Sequence, residues 1–173
     1  MKHILAIDPG ASGGFAWTYQ ESKNLFHCSN MPLTESGIIQ FIGTFAETRP
    51  YVVLEHVRGF IGISQPGSAM FNFGENFGLI KGAVLMLGLK MSLVAPQKWQ
   101  RATIPGKKKD FNYEHVLTKG KRVGQVVTKN RWKENLVEHA TVMFPDNKVT
   151  PNNADALLIL NYALKCFAVN QQP

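Results

Sequence analysis

The stretch HILAIDPGASGGFAWTY, His3 to Tyr19, decides how the rest of the chain is read. An apolar run from His3 to Ile7 ends at Asp8, and Pro9-Gly10 and Gly13-Gly14 then punctuate the turn into Phe15 to Tyr19. With Leu25 to Cys28 this predicts three short strands joined by tight turns. Thr34 offers an N-cap ahead of Ile38, Ile39, Phe41, Ile42 and Phe45, one buried face of a helix that must end before Arg49-Pro50. Tyr51 to Leu54 is a continuous β-rich run, the pattern of a strand covered on both faces, and it stops at Glu55. A right-handed crossover through the helix makes the first and fourth strands parallel neighbours, so Asp8 and Glu55 emerge at one carboxyl edge.

Outward from this core, Ser68 to Gly88 has helical periodicity, with Met70, Phe73, Phe77, Ile80, Val84 and Leu87 along one side. Gly74, Gly78 and Gly82 recur every four residues on another side, at about 1 kcal/mol each relative to alanine. Such glycines let a second backbone, a sheet or a partner helix, approach closely. Met91 to Ala95 reads as another buried strand stopped by Pro96. No sustained apolar period follows Arg101 until Trp132, Leu136, Val137, Ala140 and Phe144 mark a helix closed by Pro145. Asn152 or Asn153 then caps a last helix bearing Ala156, Leu157, Ile159, Leu160 and Ala163. The expected class is α/β, a mixed five-stranded sheet flanked by helices.

At 173 residues, 45% of them apolar, the chain fits a single domain over 1–173. A domain of this size buries roughly 70% of its unfolded surface and needs no disulfide or structural metal. Cys28 and Cys166 accordingly read as reduced core thiols. The apolar amino-terminal run is too short for a signal peptide, and Lys81 and Lys90 break the longest later apolar stretch. A soluble protein with no membrane partner is expected.

The net charge of +7 is concentrated. Between Lys107 and Lys133 lie nine basic residues against Asp110 and Glu114, and the remainder of the chain is neutral. A solvated charge run is one reading; the other is a polyanion-binding surface, with nucleic acid as the polyanion.

Three carboxylates sit where acids are structurally awkward: Asp8 and Glu55 at strand ends, and Asp155 in the first turn of the last helix. Separately, they are a turn residue, a solvent-facing strand end and a complement to the helix dipole. Together they suggest a cluster. Like charges at about 4 Å repel by roughly 4 kcal/mol at an effective dielectric of 20, so such a cluster stays ionised only if cations fill it. Hard oxygen ligands select magnesium or manganese over zinc, and a pair of such ions is suited to phosphodiester hydrolysis.

The segments ILAIDPG (4–10) with Gly13-Gly14, VLEHV (53–57) and NADAL (153–157) resemble the three acidic motifs of the RuvC family of Holliday-junction resolvases. FNFGENFGLIKG (71–82) and VAPQKW (94–99) are most similar to its small phage-type branch. The resemblance implies a ribonuclease H-like fold and a crossover junction endodeoxyribonuclease in which Asp8, Glu55 and Asp155 bind two Mg2+ ions, Mn2+ being able to substitute. It implies a homodimer that nicks opposing strands of branched DNA, with the glycine-bearing helix at the interface, and phosphate contacts from Lys98, Lys107, Lys108 and Lys109. A cytoplasmic location follows, in the host cytoplasm if a phage encodes the chain.

Two departures from the family stand out. Many relatives carry a fourth acid three positions before the last; here it is Asn152, whose amide oxygen brings no charge to a metal site. Residues 110–128, within a basic insertion at about 107–130, have no counterpart in the family. Their Lys119, Lys121 and Arg122, mixed with Phe111 and Tyr113, suit an open junction, and equally suit a surface loop without a role in selectivity. Arg58 and Phe60, after Glu55, are further candidates for DNA contact, Phe60 by stacking. Trp99, Trp132 and His139 read as structural. The expected function is magnesium-dependent, structure-selective cleavage of four-way junctions and related branched DNA. Alternatives are a flap or RNA/DNA-hybrid nuclease and a non-catalytic junction-binding protein.

Overall fold

Strand β1 (Ile4–Asp8) runs through the middle of a five-stranded sheet. On one side it pairs antiparallel with β2 (Gly14–Thr18), which pairs antiparallel with β3 (Phe26–Asn30). On the other it pairs parallel with β4 (Tyr51–Glu55), which pairs parallel with β5 (Met91–Val94). The spatial order β3-β2-β1-β4-β5 is the mixed sheet expected from the sequence. The computed structural model describes residues 3–19, 25–56 and 67–169. Helix α1 (Glu35–Gly43) lies between β3 and β4, and α2 (Gly67–Met86) between β4 and β5. After β5 come α3 (Pro96–Thr103), a single 3-10 turn (Lys108–Phe111), strands β6 (Asn112–Val116) and β7 (Val126–Asn130), then α4 (Trp132–Met143) and α5 (Ala154–Val169).

The alternation of side chains along a strand sorts the core into two layers. Leu5, Ile7, Val52 and Leu54 pack with Ile38 and Ile42 of α1 and Ile80 and Val84 of α2. Ile4, Ala6 and Val53 face the other way, onto Trp99, Leu136, Leu157 and Leu160. Asp8 is in phase with Ile4 and Ala6, and Glu55 with Val53, so both acids belong to the α5 side. The β1–β4 register runs from Ile4 opposite Tyr51 to Ile7 opposite Leu54, and one more step brings Asp8 level with Glu55.

One local expectation holds directly. Thr34 caps α1, its hydroxyl accepting from Gly37 N–H at 3.1 Å. No helix among the described residues is long and apolar enough to cross a membrane. Others are corrected. Pro96 does not merely end β5; it opens α3, where proline's missing N–H costs nothing. β5 is not fully buried: as an edge strand it leaves Leu93 42% exposed. Both cysteines are free, but Cys166 is exposed rather than in the core. The insertion is not an irregular loop over its whole length, because β6 and β7 form a two-stranded sheet of their own. A Cβ at Gly74, Gly78 or Gly82 would meet nothing within 4 Å, so no sheet approaches these glycines.

Gly14 marks the approach that completes the architecture. A Cβ there would lie 2.6 Å from the Ser29 carbonyl oxygen and 2.8 Å from that of Asn152, both rigid backbone. The bare glycine lets the turn before α5 settle on the start of β2. Gly14→Ala is therefore expected to destabilise the fold by about 1–3 kcal/mol through overpacking. Urea unfolding monitored by far-UV circular dichroism checks this; an unchanged midpoint would contradict the close approach.

Candidate active site

The three acids reach one place from three elements. Asp8 ends β1, Glu55 ends the parallel neighbour β4, and Asp155 lies in the first turn of α5, which packs across both strands. Leu157 to Leu160 are fully buried, which fixes the roll of α5 and with it the direction of Asp155. The Asp8 and Glu55 carboxyls stand side by side at the ends of paired parallel strands, and both feel the charge of Asp155.

Burial, reinforced by the charges of Glu55 and Asp155, holds the Asp8 carboxyl well above the usual carboxylate range. Burial also raises Glu55, although the neighbouring Asp8 carboxyl and the hydrogen bond from the Trp99 indole pull the other way. The indole N–H of Trp99 donates to Glu55 Oε1 at 3.0 Å. Lys133, in the first turn of α4, places Nζ 2.7 Å from Asp155 Oδ2. Burial alone would lower its affinity for a proton, but Asp155, Asp8 and Glu55 together outweigh that and raise it.

Two of these residues escaped the sequence reading. Trp99 is core, fully buried, but it is also a donor to an acid. Lys133 stands out in the sequence only as one more cation in the basic run. The signal was its phase: it precedes Leu136 by three residues and Val137 by four, so it shares the inward stripe of its helix.

The remaining candidates lie elsewhere. Asn152 is half-buried in the turn before α5. Asn153, the other cap candidate, turns its side chain back to Thr150 N and Lys148 O. Lys98 is exposed on α3, and Lys107, Lys108 and Lys109 are exposed at the 3-10 turn. Lys119, Lys121 and Arg122 are exposed between β6 and β7. Arg58 and Phe60 lie outside the described residues.

As the side chains stand, no three His, Cys, Asp or Glu groups among the described residues are arranged to hold a metal ion. The donor set of three carboxylates nevertheless suits hard divalent cations. Asp155 Oδ1 is buried without a hydrogen-bond partner, an acceptor still to be satisfied. The Lys133 ammonium supplies a positive charge that offsets the acids.

No protein-family model matches the chain, and no curated protein matches it. Solved structures do. The chain is similar to Thermus thermophilus RuvC in complex with a Holliday junction substrate, with a TM-score of 0.58 and 14% identity over 99% of this chain and 98% of that one. A second Thermus thermophilus RuvC structure gives a TM-score of 0.52 and 16% identity over 95% and 96%. The resemblance read from three short motifs is thus matched along the whole backbone, and the ribonuclease H-like fold is the fold of this chain.

Proposed function

We propose that this chain, with the fold of RuvC, is a member of the RuvC family's phage-type branch and a magnesium-dependent, structure-selective endonuclease acting on four-way junctions and related branched DNA. The observation that carries the reading is the convergence of Asp8 at the end of β1, Glu55 at the end of its parallel neighbour β4, and Asp155 in the first turn of the helix packed on both strands. A similar structure was obtained with a Holliday junction substrate, which supports the choice of DNA.

Asp8, Glu55 and Asp155 would hold two Mg2+ ions, with the Asn152 amide oxygen as a neutral fourth donor. Bound there, such ions activate a water and stabilise the leaving oxygen of a phosphodiester. Trp99 orients Glu55 through its indole N–H, which keeps one carboxylate oxygen fixed. Lys133 restrains Asp155 and, being half-exposed, offers an ammonium to a phosphate oxygen when a strand enters. Lys98 and Lys107 to Lys109, with Arg58, Phe60, Lys119, Lys121 and Arg122, make the DNA surface. Phosphate contacts of this kind position a duplex without reading its sequence.

The dimer fits the outer face of α2. Phe71, Leu85 and Met86 are 68%, 57% and 75% exposed there, beside the three glycines whose missing side chains face open space. A second copy of the helix would cover that stripe and set two catalytic centres about a two-fold axis.

The test is incubation with labelled four-way junction, flap, linear duplex and RNA/DNA hybrid, in magnesium or chelator, with sedimentation to read the oligomer. Paired magnesium-dependent nicks at the junction, from a dimer, are expected. Cleavage of hybrid alone would replace this reading with a ribonuclease, and binding without cleavage in any metal would replace it with a scaffold.

A further inference from the structure

The β6–β7 hairpin is the part of the molecule that the fold does not explain. Its strands pair only with each other, and an isolated two-stranded hairpin is marginal in water. What holds it is a clamp at its base. The Asn130 side chain donates to Lys108 O at 2.8 Å, pairs with the Asn112 amide, and accepts from Trp132 N–H at 2.9 Å. Arg131 N–H donates to Phe111 O at 3.0 Å, and Phe111 packs edge-on against Trp132 at 5.2 Å. The arm is therefore fixed to the first turn of α4, one residue from Lys133 and its bond to Asp155.

The two faces of the arm differ in chemistry. Cross-strand pairing puts Tyr113 opposite Lys129 and His115 opposite Val127, while Glu114 faces Thr128 on the reverse. The Arg131 guanidinium lies over the Tyr113 ring, 4.5 Å from its centroid, and so extends the first face. The Tyr113 and His115 rings stand 6.4 Å apart. One face thus carries two rings and two cations, and the arm's single acid is on the other. Beyond it, the tip adds exposed Lys119, Lys121 and Arg122. Rings interleaved with cations, on an arm of net positive charge, are the means by which proteins take unstacked bases with their phosphates.

We propose that the Tyr113, His115, Lys129 and Arg131 face of the β6–β7 arm is a stacking platform for bases left unpaired at the branch of a DNA substrate, with the tip cations on the adjoining phosphates. This rests on the nuclease reading above and adds to it the element that tells branched from linear DNA. The site of stacking is tied through Asn130 and Trp132 to α4, so a branch held on the arm stands in a set relation to the catalytic acids.

The test uses full-length protein carrying Asp8→Asn, so that DNA stays intact, with a four-way junction bearing 2-aminopurine at the branch and a linear duplex of the same sequence. Adding Tyr113→Ala with His115→Ala is expected to weaken junction binding by about tenfold or more, the value of a lost stacked base, and to abolish the fluorescence change. Duplex binding should be unchanged, and Tyr113→Phe should behave as the parent because it keeps the ring. Equal losses on junction and duplex, or a Tyr113→Phe as weak as the alanine variant, would overturn the proposal. If the wild-type protein cleaves junctions and the double alanine change alters neither binding nor fluorescence, the platform fails while the nuclease reading stands. If the protein neither binds nor cleaves branched DNA, both fail.

Discussion

Asp8→Asn is expected to lower junction cleavage by about a thousandfold or more while leaving junction binding within a few-fold of the parent. Asp8 is the most central of the three acids, at the end of the middle strand and coupled to both of the others. Asparagine keeps the volume and one oxygen but removes the charge, so the buried packing survives and the pull on a divalent ion does not. Losing a preorganised charge at the reacting centre costs on the order of 3–4 kcal/mol of transition-state stabilisation. The exposed lysines proposed to carry the DNA belong to other elements and keep their charge in this variant, which is why affinity should persist. Single-turnover cleavage beside gel-shift binding measures the two separately. Residual cleavage at the parental rate would remove Asp8 from the mechanism.

The same substitution should make the metal-free protein more stable at neutral pH. Asp8 has an ordinary reference value of 3.8 and is raised well above it in the fold, first by burial and then by Glu55 and Asp155. An acid whose folded value is raised binds its proton more tightly in the native state. Its contribution is therefore complete below the ordinary value and is lost as pH rises through the folded one. Glu55 is raised too and acts in the same direction. In chelator, the thermal midpoint of the parent should fall as pH climbs from the ordinary carboxylate range to neutrality, and Asp8→Asn should flatten that fall. Each kcal/mol recovered is worth about 2–4 °C in a domain of this length. Magnesium should stabilise the parent and leave the variant nearly unmoved, since binding to the native state alone raises its stability. Parallel pH profiles for the two proteins would show that Asp8 is not ionised against a cost.

Much of the arrangement was legible in the chain because it depends on short-range rules. The run into Asp8, the glycine-rich turn and the run into Glu55 give strands of known direction, and one helical crossover makes them parallel. Thr34 capped its helix as read, since an N-cap is a contact over three residues. The insertion was less legible. β6 and β7 bury no common apolar face, so their periodicity is weak, and what orders them is the clamp of Asn130 on Lys108, Asn112 and Trp132. Trp99 and Lys133 were visible as residue types, but not as partners of Glu55 and Asp155, 44 and 22 positions away.

The parallel pairing of the first and fourth strands, the emergence of Asp8 and Glu55 at one carboxyl edge and the acid at the head of the last helix are properties of the sequence itself, because strand period, crossover handedness and turn chemistry act locally. Only the tertiary structure decided that a lysine pairs with one of the acids, that an indole holds another, and that a basic arm is clamped to the start of α4. Those depend on how far α3, α4 and α5 roll against the sheet, and packing of buried side chains from distant segments sets that roll.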